Sequence, residues 1–248
     1  MSEQIHYYGL LALTFLFAGA VKGVTGMGLP TVAMGVLGAI ISPPLAAALL
    51  VMPSFVTNVW QIFSGPAVAC LLRRLWPMLS AIVAGSMGGA ALLVSIDPLW
   101  SSFGLGATLL AYAGYALFAP EFSVPPHIEP WMSPAAGLLT GAITGATGVF
   151  VMPAVPYLGA LRLEKDELVQ ALGVSFTVST VALAAGLIAN GAFHVDQLGL
   201  SAMAIAPALV GMRLGALIRA RISPVRFRQC FLLFLALLGL ELVSRPFF

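Results

Sequence analysis

The sequence predicts an all-α polytopic membrane protein made of two inverted repeats, each a re-entrant glycine-rich helical hairpin followed by three transmembrane helices. Three observations carry this reading. The 248 residues are 60% hydrophobic and only 8% charged, whereas a soluble domain carries about 25% charged residues. The apolar residues fall into eight blocks separated by short polar stretches. Two of those blocks contain the same glycine-rich interruption.

The blocks run 8–40, 44–72, 75–95, 98–118, 132–160, 167–190, 197–219 and 227–246. A spanning helix needs about 20 residues, which suits six of them. The first and fifth are too long for a single crossing, and a break near the middle divides each into two pieces of about 12–16 residues, the length of half-helices. Before the first block, MSEQIHYY lacks the positive region of a signal peptide, although Phe17–Ala20 faintly resembles a cleavage site; no cleaved signal is expected.

The breaks match one another. Gly19 to Gly26 reads GAVKGVTG and Gly141 to Gly148 reads GAITGATG, identical at five of eight positions. Each is followed by a proline, Pro30 and Pro153. Ser54-Phe55-Val56-Thr57-Asn58 returns as Ser175-Phe176-Thr177-Val178-Ser179, and Gly85-Ser86-Met87-Gly88-Gly89-Ala90 returns as Gly211-Met212-Arg213-Leu214-Gly215-Ala216. The three offsets are 122, 121 and 126 residues. The order kept across the two halves indicates an internal duplication: an N-terminal repeat over 1–122, a connecting loop over 123–131 and a C-terminal repeat over 132–248.

Charge orients the halves. If each long block crossed once, Arg73 and Arg74 would face away from Arg162, Lys165, Arg219, Arg221, Arg226 and Arg228, against the positive-inside rule. If each long block dips in and returns, all eight charges share one side. Three full crossings per half then invert the second repeat, and both termini face outward with Arg245. The expected location is the bacterial inner membrane, with both termini periplasmic. Eight plain helices are the alternative, and the charge distribution counts against them.

Irregular backbone at membrane depth must be buried in protein or line a wet cavity. A half-helix starting there offers N–H groups and the positive end of its dipole to an anion. Lys22 lies one turn before Thr25 and Gly26 in an apolar block, where an ammonium costs roughly 2.5–3.5 kcal/mol on insertion scales. Facing water and an anion would repay that cost, whereas snorkelling to the interface is the bland alternative. The second repeat has Thr144 in the matching position, so the site is expected to be asymmetric.

Further candidates sit in the second span of each half. Ser54, Thr57, Asn58 and Gln61 share a helical face, and Ser175, Thr177, Ser179 and Thr180 follow in the other repeat. Packing accounts for Ser175 and Thr180. For Asn58 and Gln61, costly to bury unpaired, ligand contact and packing are left even. Arg213 reads as structural.

All nine acids (Glu3, Asp97, Glu121, Glu129, Glu164, Asp166, Glu167, Asp196 and Glu241) and the three histidines fall in loops or near span ends. That leaves Lys22 as the mid-membrane ion and disfavours cation transport and a carboxylate proton relay. Cys70 and Cys230 match no metal or redox spacing. No cofactor, metal or nucleic-acid partner is expected, and no nucleophile–base set points to an enzyme.

The paired motifs, with their prolines and the two-half arrangement, make the sequence similar to the sulfite exporter TauE/SafE family of bacterial membrane proteins. The resemblance covers nearly the whole chain. It implies transport of small anionic substrates such as sulfite, sulfoacetate or related sulfonates, usually outward, by a protein embedded in the lipid bilayer. Carried over by position, the site comprises Lys22, Thr25, Gly26, Met27 and Gly28 with Thr144, Thr147 and Gly148, joined from the residue reading by Asn58 and Gln61. The motif here is thinner than the family's dense glycine cluster, with Phe150 where the first repeat has Gly28. Runner-up readings are a channel-like facilitator and a non-transporting scaffold; a homodimer is left open.

Overall fold

A chain this apolar must satisfy its backbone within helices. The computed structural model describes residues 2–63, 65–118, 122–219, 221 and 223–247. Pro120 and Glu121, next to the expected connecting loop, lie outside the described residues. The described residues form eleven α-helices closed by a 3-10 turn at Arg245–Phe247. Among the described residues, seven segments are long and apolar enough to cross a membrane: His6–Thr25, Pro43–Ile62, Val68–Ser95, Pro98–Phe118, Lys165–Ala189, Gln197–Arg219 and Arg226–Phe247.

The first long block divides into α1 (Ser2–Thr25) and α2 (Leu29–Ile40), interrupted at Gly26–Gly28. The fifth divides into α6 (Glu129–Thr147) and α7 (Ala154–Ala160). Each break begins at the last glycine of its motif, Gly26 or Gly148, while residues 19–25 and 141–147 stay helical, and the limbs are unequal. With 24 residues, α1 is about 36 Å long at 1.5 Å per residue and can cross by itself, where a limb of about 12–16 residues was expected. It is longer because the helix begins in the polar residues ahead of the apolar block. At the other extreme, α7 has only seven residues, since it starts after Pro153.

Between the breaks run α3 (Pro43–Ile62), α4 (Val68–Ser95) and α5 (Pro98–Phe118); after α7 come α8 (Lys165–Ala189), α9 (Val195–Met203), α10 (Ile205–Arg219) and α11 (Pro224–Ser244). Gly65 and Pro66 cut the second apolar block, so that Val68–Leu72 belongs to α4 instead. The division of the seventh block into α9 and α10 follows Pro207, which has no N–H for the Met203 carbonyl. Pro53 does the same inside α3, and there a neighbour compensates. The Ser201 hydroxyl of α9 donates to the Leu49 carbonyl at 2.8 Å and accepts the Met52 N–H at 3.1 Å.

Helix pairing is set by close backbone approach. A Cβ on Gly19 would overlap the Ala208 carbonyl, and one on Gly141 would overlap the Ile82 carbonyl. Likewise Gly23 abuts Met212 while Gly145 abuts Ser86. Each contact is the other's image under the offsets of 122 and 126 residues read from the sequence. Positions 19 and 23 of α1 advance with 208 and 212 of α10, so these helices run parallel; 137, 141 and 145 of α6 advance with 78, 82 and 86 of α4. Two further pairs run antiparallel. Asn58 meets Thr180 while Ile62 meets Gln170, joining α3 to α8. Gly106 meets Leu242 while Leu110 meets Gly239, joining α5 to α11.

The charges gather in two places. At one end Arg162 reaches Ser123 (3.1 Å), Val124 bonds the Ala160 carbonyl (2.9 Å), and Arg74 holds Glu129 in a two-pronged ion pair (2.7 and 2.8 Å). Elsewhere, where α11 finishes, Arg245 pairs with Glu241 and donates to the Ala39 carbonyl near the end of α2.

Candidate functional site

Both breaks share one local design. Gly26 ends α1 with its N–H on the Lys22 carbonyl (2.7 Å), and Gly148 ends α6 with its N–H on the Thr144 carbonyl (2.7 Å). The Thr25 hydroxyl donates back to Val21 (2.9 Å) and accepts the Met27 N–H (3.3 Å); Thr147 donates back to Ile143 (2.7 Å) and accepts the Val149 N–H (3.3 Å). Gly26 at φ 79°, Gly28 at φ 100° and Gly148 at φ 71° occupy the left-handed region, which glycine enters without steric cost. Phe150, where the first repeat has Gly28, takes no such conformation because α7 starts four residues later.

The first break is tied to α3. Gln61 donates from Nε2 to the Gly26 carbonyl at 2.8 Å. Lys22, 3% exposed, donates from Nζ to Thr57 Oγ1 at 3.2 Å and to Asn58 Oδ1. Asn58 in turn donates from Nδ2 to Thr180 Oγ1 of α8 at 3.4 Å, so one chain of contacts links α1, α3 and α8. Three buried hydroxyls on α3 and α8, those of Ser54, Ser175 and Ser179, have no hydrogen-bond partner among the described residues. The partners of the ammonium are neutral; the ion pairs among the described residues are Arg74–Glu129 and Arg245–Glu241. A buried ammonium with neutral acceptors only is an uncompensated charge in a low-dielectric interior.

Of the sequence-derived candidates, the structure brings together Lys22, Asn58, Gln61 and Gly26. Thr25 and Met27 stand at the wall of a cavity, and Gly28 packs on Val21 and Phe231. The second break makes a different set of contacts: Gly148 packs on Met34 of α2, Thr147 lies by Gly104 of α5, and the Thr144 hydroxyl turns to the Val149 carbonyl at 3.4 Å. Val149, Phe150 and Val151 are fully buried. The start of α2 is closed as well, with Leu29 and Thr31 fully buried. The first break therefore meets the cavity at Thr25 and Met27, while the first turn of α2 is enclosed.

That cavity was not legible in the sequence. It measures about 780 Å³ and is walled by Arg162, Arg219, Arg228, Tyr112, Tyr115 and Ser123. The Tyr112 hydroxyl donates to the Met27 sulfur at 3.4 Å, across the cavity floor. The three arginines come from the α7–α8 turn, the end of α10 and the start of α11, and in the sequence they speak only for orientation. Arg213 is exposed on α10 and does not line the cavity.

Seven apolar segments among the described residues, with a buried polar seam between them, define a polytopic membrane protein, of the kind that moves small solutes rather than transforms them. Residues 11–242 match the sulfite exporter TauE/SafE family, and the chain belongs to it. Its members are membrane transporters of sulfite and related sulfur anions, not enzymes. Comparisons with curated proteins and with solved structures each found no match.

Proposed function

We propose that this chain is a secondary transporter of sulfite, sulfoacetate or related sulfonates across the bacterial inner membrane, with the anion held beside Lys22. The observation that carries the reading is the Lys22 ammonium, buried one turn from the break and bonded to Thr57 and Asn58 without a carboxylate. A sulfur oxyanion supplies the missing negative charge and accepts from the ammonium and from Ser54, Ser175 and Ser179. Thr25, Gly26, Met27 and Gly28 form the approach to it, and Gln61 holds the break in place. Thr144, Thr147 and Gly148 form the corresponding turn of the second repeat.

Inverted repeats over 1–122 and 132–248 underlie the cycle. Support comes from contacts that recur at the sequence offsets and from antiparallel pairing of equivalent helices, α3 with α8 and α5 with α11. Such symmetry lets the two halves exchange conformations, so that access alternates about a fixed site. The cavity at the arginine end leaves this conformation open there. The other end, which carries both termini, is assigned to the periplasm by the positive-inside rule.

Counterflow of labelled sulfite and sulfoacetate in proteoliposomes tests the reading. Saturable exchange by the wild type, lost in folded Lys22→Ala, supports a carrier with Lys22 in its site. Equal exchange by both proteins removes Lys22 from the mechanism, and flux without saturation or exchange favours a channel.

A further inference from the structure

Transport at Lys22 leaves the arginine-walled cavity without a task, and its construction is specific. Arg162, Arg219 and Arg228 arrive from three separate chain segments and line one cavity of about 780 Å³. None pairs with a carboxylate among the described residues. Arg228 uses one donor on the Ala116 carbonyl (3.1 Å) and Arg162 uses one on Ser123 (3.1 Å). A guanidinium has five N–H donors, so most remain available. Tyr112 and Tyr115 add aromatic walls. The floor is Thr25 and Met27, the break itself, and Lys22 lies one helical turn behind it with almost no exposure.

We propose that this cavity is a second oxyanion site, which captures the anion from water at the arginine end and stages it before it passes the Met27 floor to Lys22. The inference rests on the transport reading. Clefts walled by one sign of charge raise the local concentration of the opposite ion by about 10–1,000-fold. Exposed guanidiniums hold an anion weakly and with strong salt dependence, which suits a site that must pass its ligand on. The forked donors match the oxygens of a sulfonate, sulfite or phosphate group. A lipid headgroup phosphate offers the same chemistry as a free anion, and the experiment separates the two.

The experiment is equilibrium binding of sulfoacetate and sulfite to the full chain in uncharged phosphatidylcholine nanodiscs, at low and raised salt. Wild type is compared with the double variant Arg219→Gln/Arg228→Gln, with Lys22→Ala, and with Arg73→Gln, an exposed arginine outside the cavity. The proposal expects two binding phases in wild type. The weaker, salt-sensitive phase falls at least about tenfold in the double variant and persists in Lys22→Ala and Arg73→Gln. Arg219→Lys/Arg228→Lys, which keeps the charge, restores the salt dependence. A single phase in wild type, or a weak phase that survives the double variant, overturns the proposal. Adding phosphatidylglycerol is the last arm: an unchanged weak phase supports a free-anion site, and its displacement assigns the cavity to lipid and overturns it. Failure of the transport reading looks different, namely no counterflow by wild type while the arginine-dependent phase remains.

Discussion

Lys22 of α1 donates to Asn58 of α3 inside a protein interior that offers the ammonium no carboxylate among the described residues. Each residue answers the other's cost, because a buried ammonium needs an acceptor and a buried amide needs a donor. Their bond also fixes the position of the break, one turn further along α1.

Replacing Asn58 by Asp would set a carboxylate where the anion is proposed to bind. The expected outcome is a folded protein, as stable as wild type or more so, with counterflow reduced more than about tenfold, the factor for each 1.4 kcal/mol of lost anion affinity. Asn58→Leu removes the acceptor instead and is expected to cost about 1.5–3 kcal/mol, the worth of a hydrogen bond to a charged group. Thermal unfolding in detergent alongside counterflow separates the two. Full transport by Asn58→Asp would remove Lys22 from the anion path.

The matched glycine contacts predict matched damage. Gly23→Val and Gly145→Val each force a side chain into opposing backbone, at Met212 and Ser86, and interiors this dense do not yield to such volume. Both variants are expected to lose the monodisperse folded peak in size-exclusion chromatography. Gly9→Val and Gly114→Val, which meet nothing within 4 Å, are expected to keep it. A tolerated Gly145→Val with a lethal Gly23→Val would contradict equivalent packing in the two halves.

Much of this packing could be read from the chain because it depends on periodic, local features. The breaks at Gly26–Gly28 and Gly148 were visible since left-handed backbone and helix interruption call for particular residue types. The pairing of Lys22 with Asn58 is half legible: both are costly to bury, but nothing in their spacing says that each satisfies the other. The lengths of α1 and α7 depart from the block pattern because a helix can run beyond its apolar block and a proline can delay a helix start. The arginine cavity was invisible. Arg162, Arg219 and Arg228 are brought together only by the packing of α7, α10 and α11, and each alone resembles an ordinary interfacial charge.

Ser201 offers a test of how α3 tolerates its internal proline. Its hydroxyl takes up the Leu49 carbonyl and the Met52 N–H beside Pro53. Ser201→Ala should destabilise the protein by about 1 kcal/mol, the net worth of a buried hydrogen bond. In a Pro53→Ala background the helix regains its own bond to Leu49, and the same serine change should then cost less. A double-mutant cycle on thermal stability measures the difference, and additive effects would rule out the compensation.

Access from one end gives the last prediction. Thr25 lines the arginine cavity, whereas Ser54 is fully buried on α3 beyond the break. In a background with Cys70 and Cys230, both exposed, changed to serine, Thr25→Cys should react with a negatively charged, membrane-impermeant thiol reagent from the arginine end. Ser54→Cys should resist it. Saturating sulfoacetate should slow the reaction at Thr25→Cys, because an anion staged among the arginines stands between water and the break. A charged reagent also samples the field directly: its rate should fall with salt, and a neutral reagent of the same size should show no such dependence. Reaction of Thr25→Cys from the opposite end alone would mean that the cavity does not connect the arginine-rich surface to the break, and the direction of access would have to be reversed.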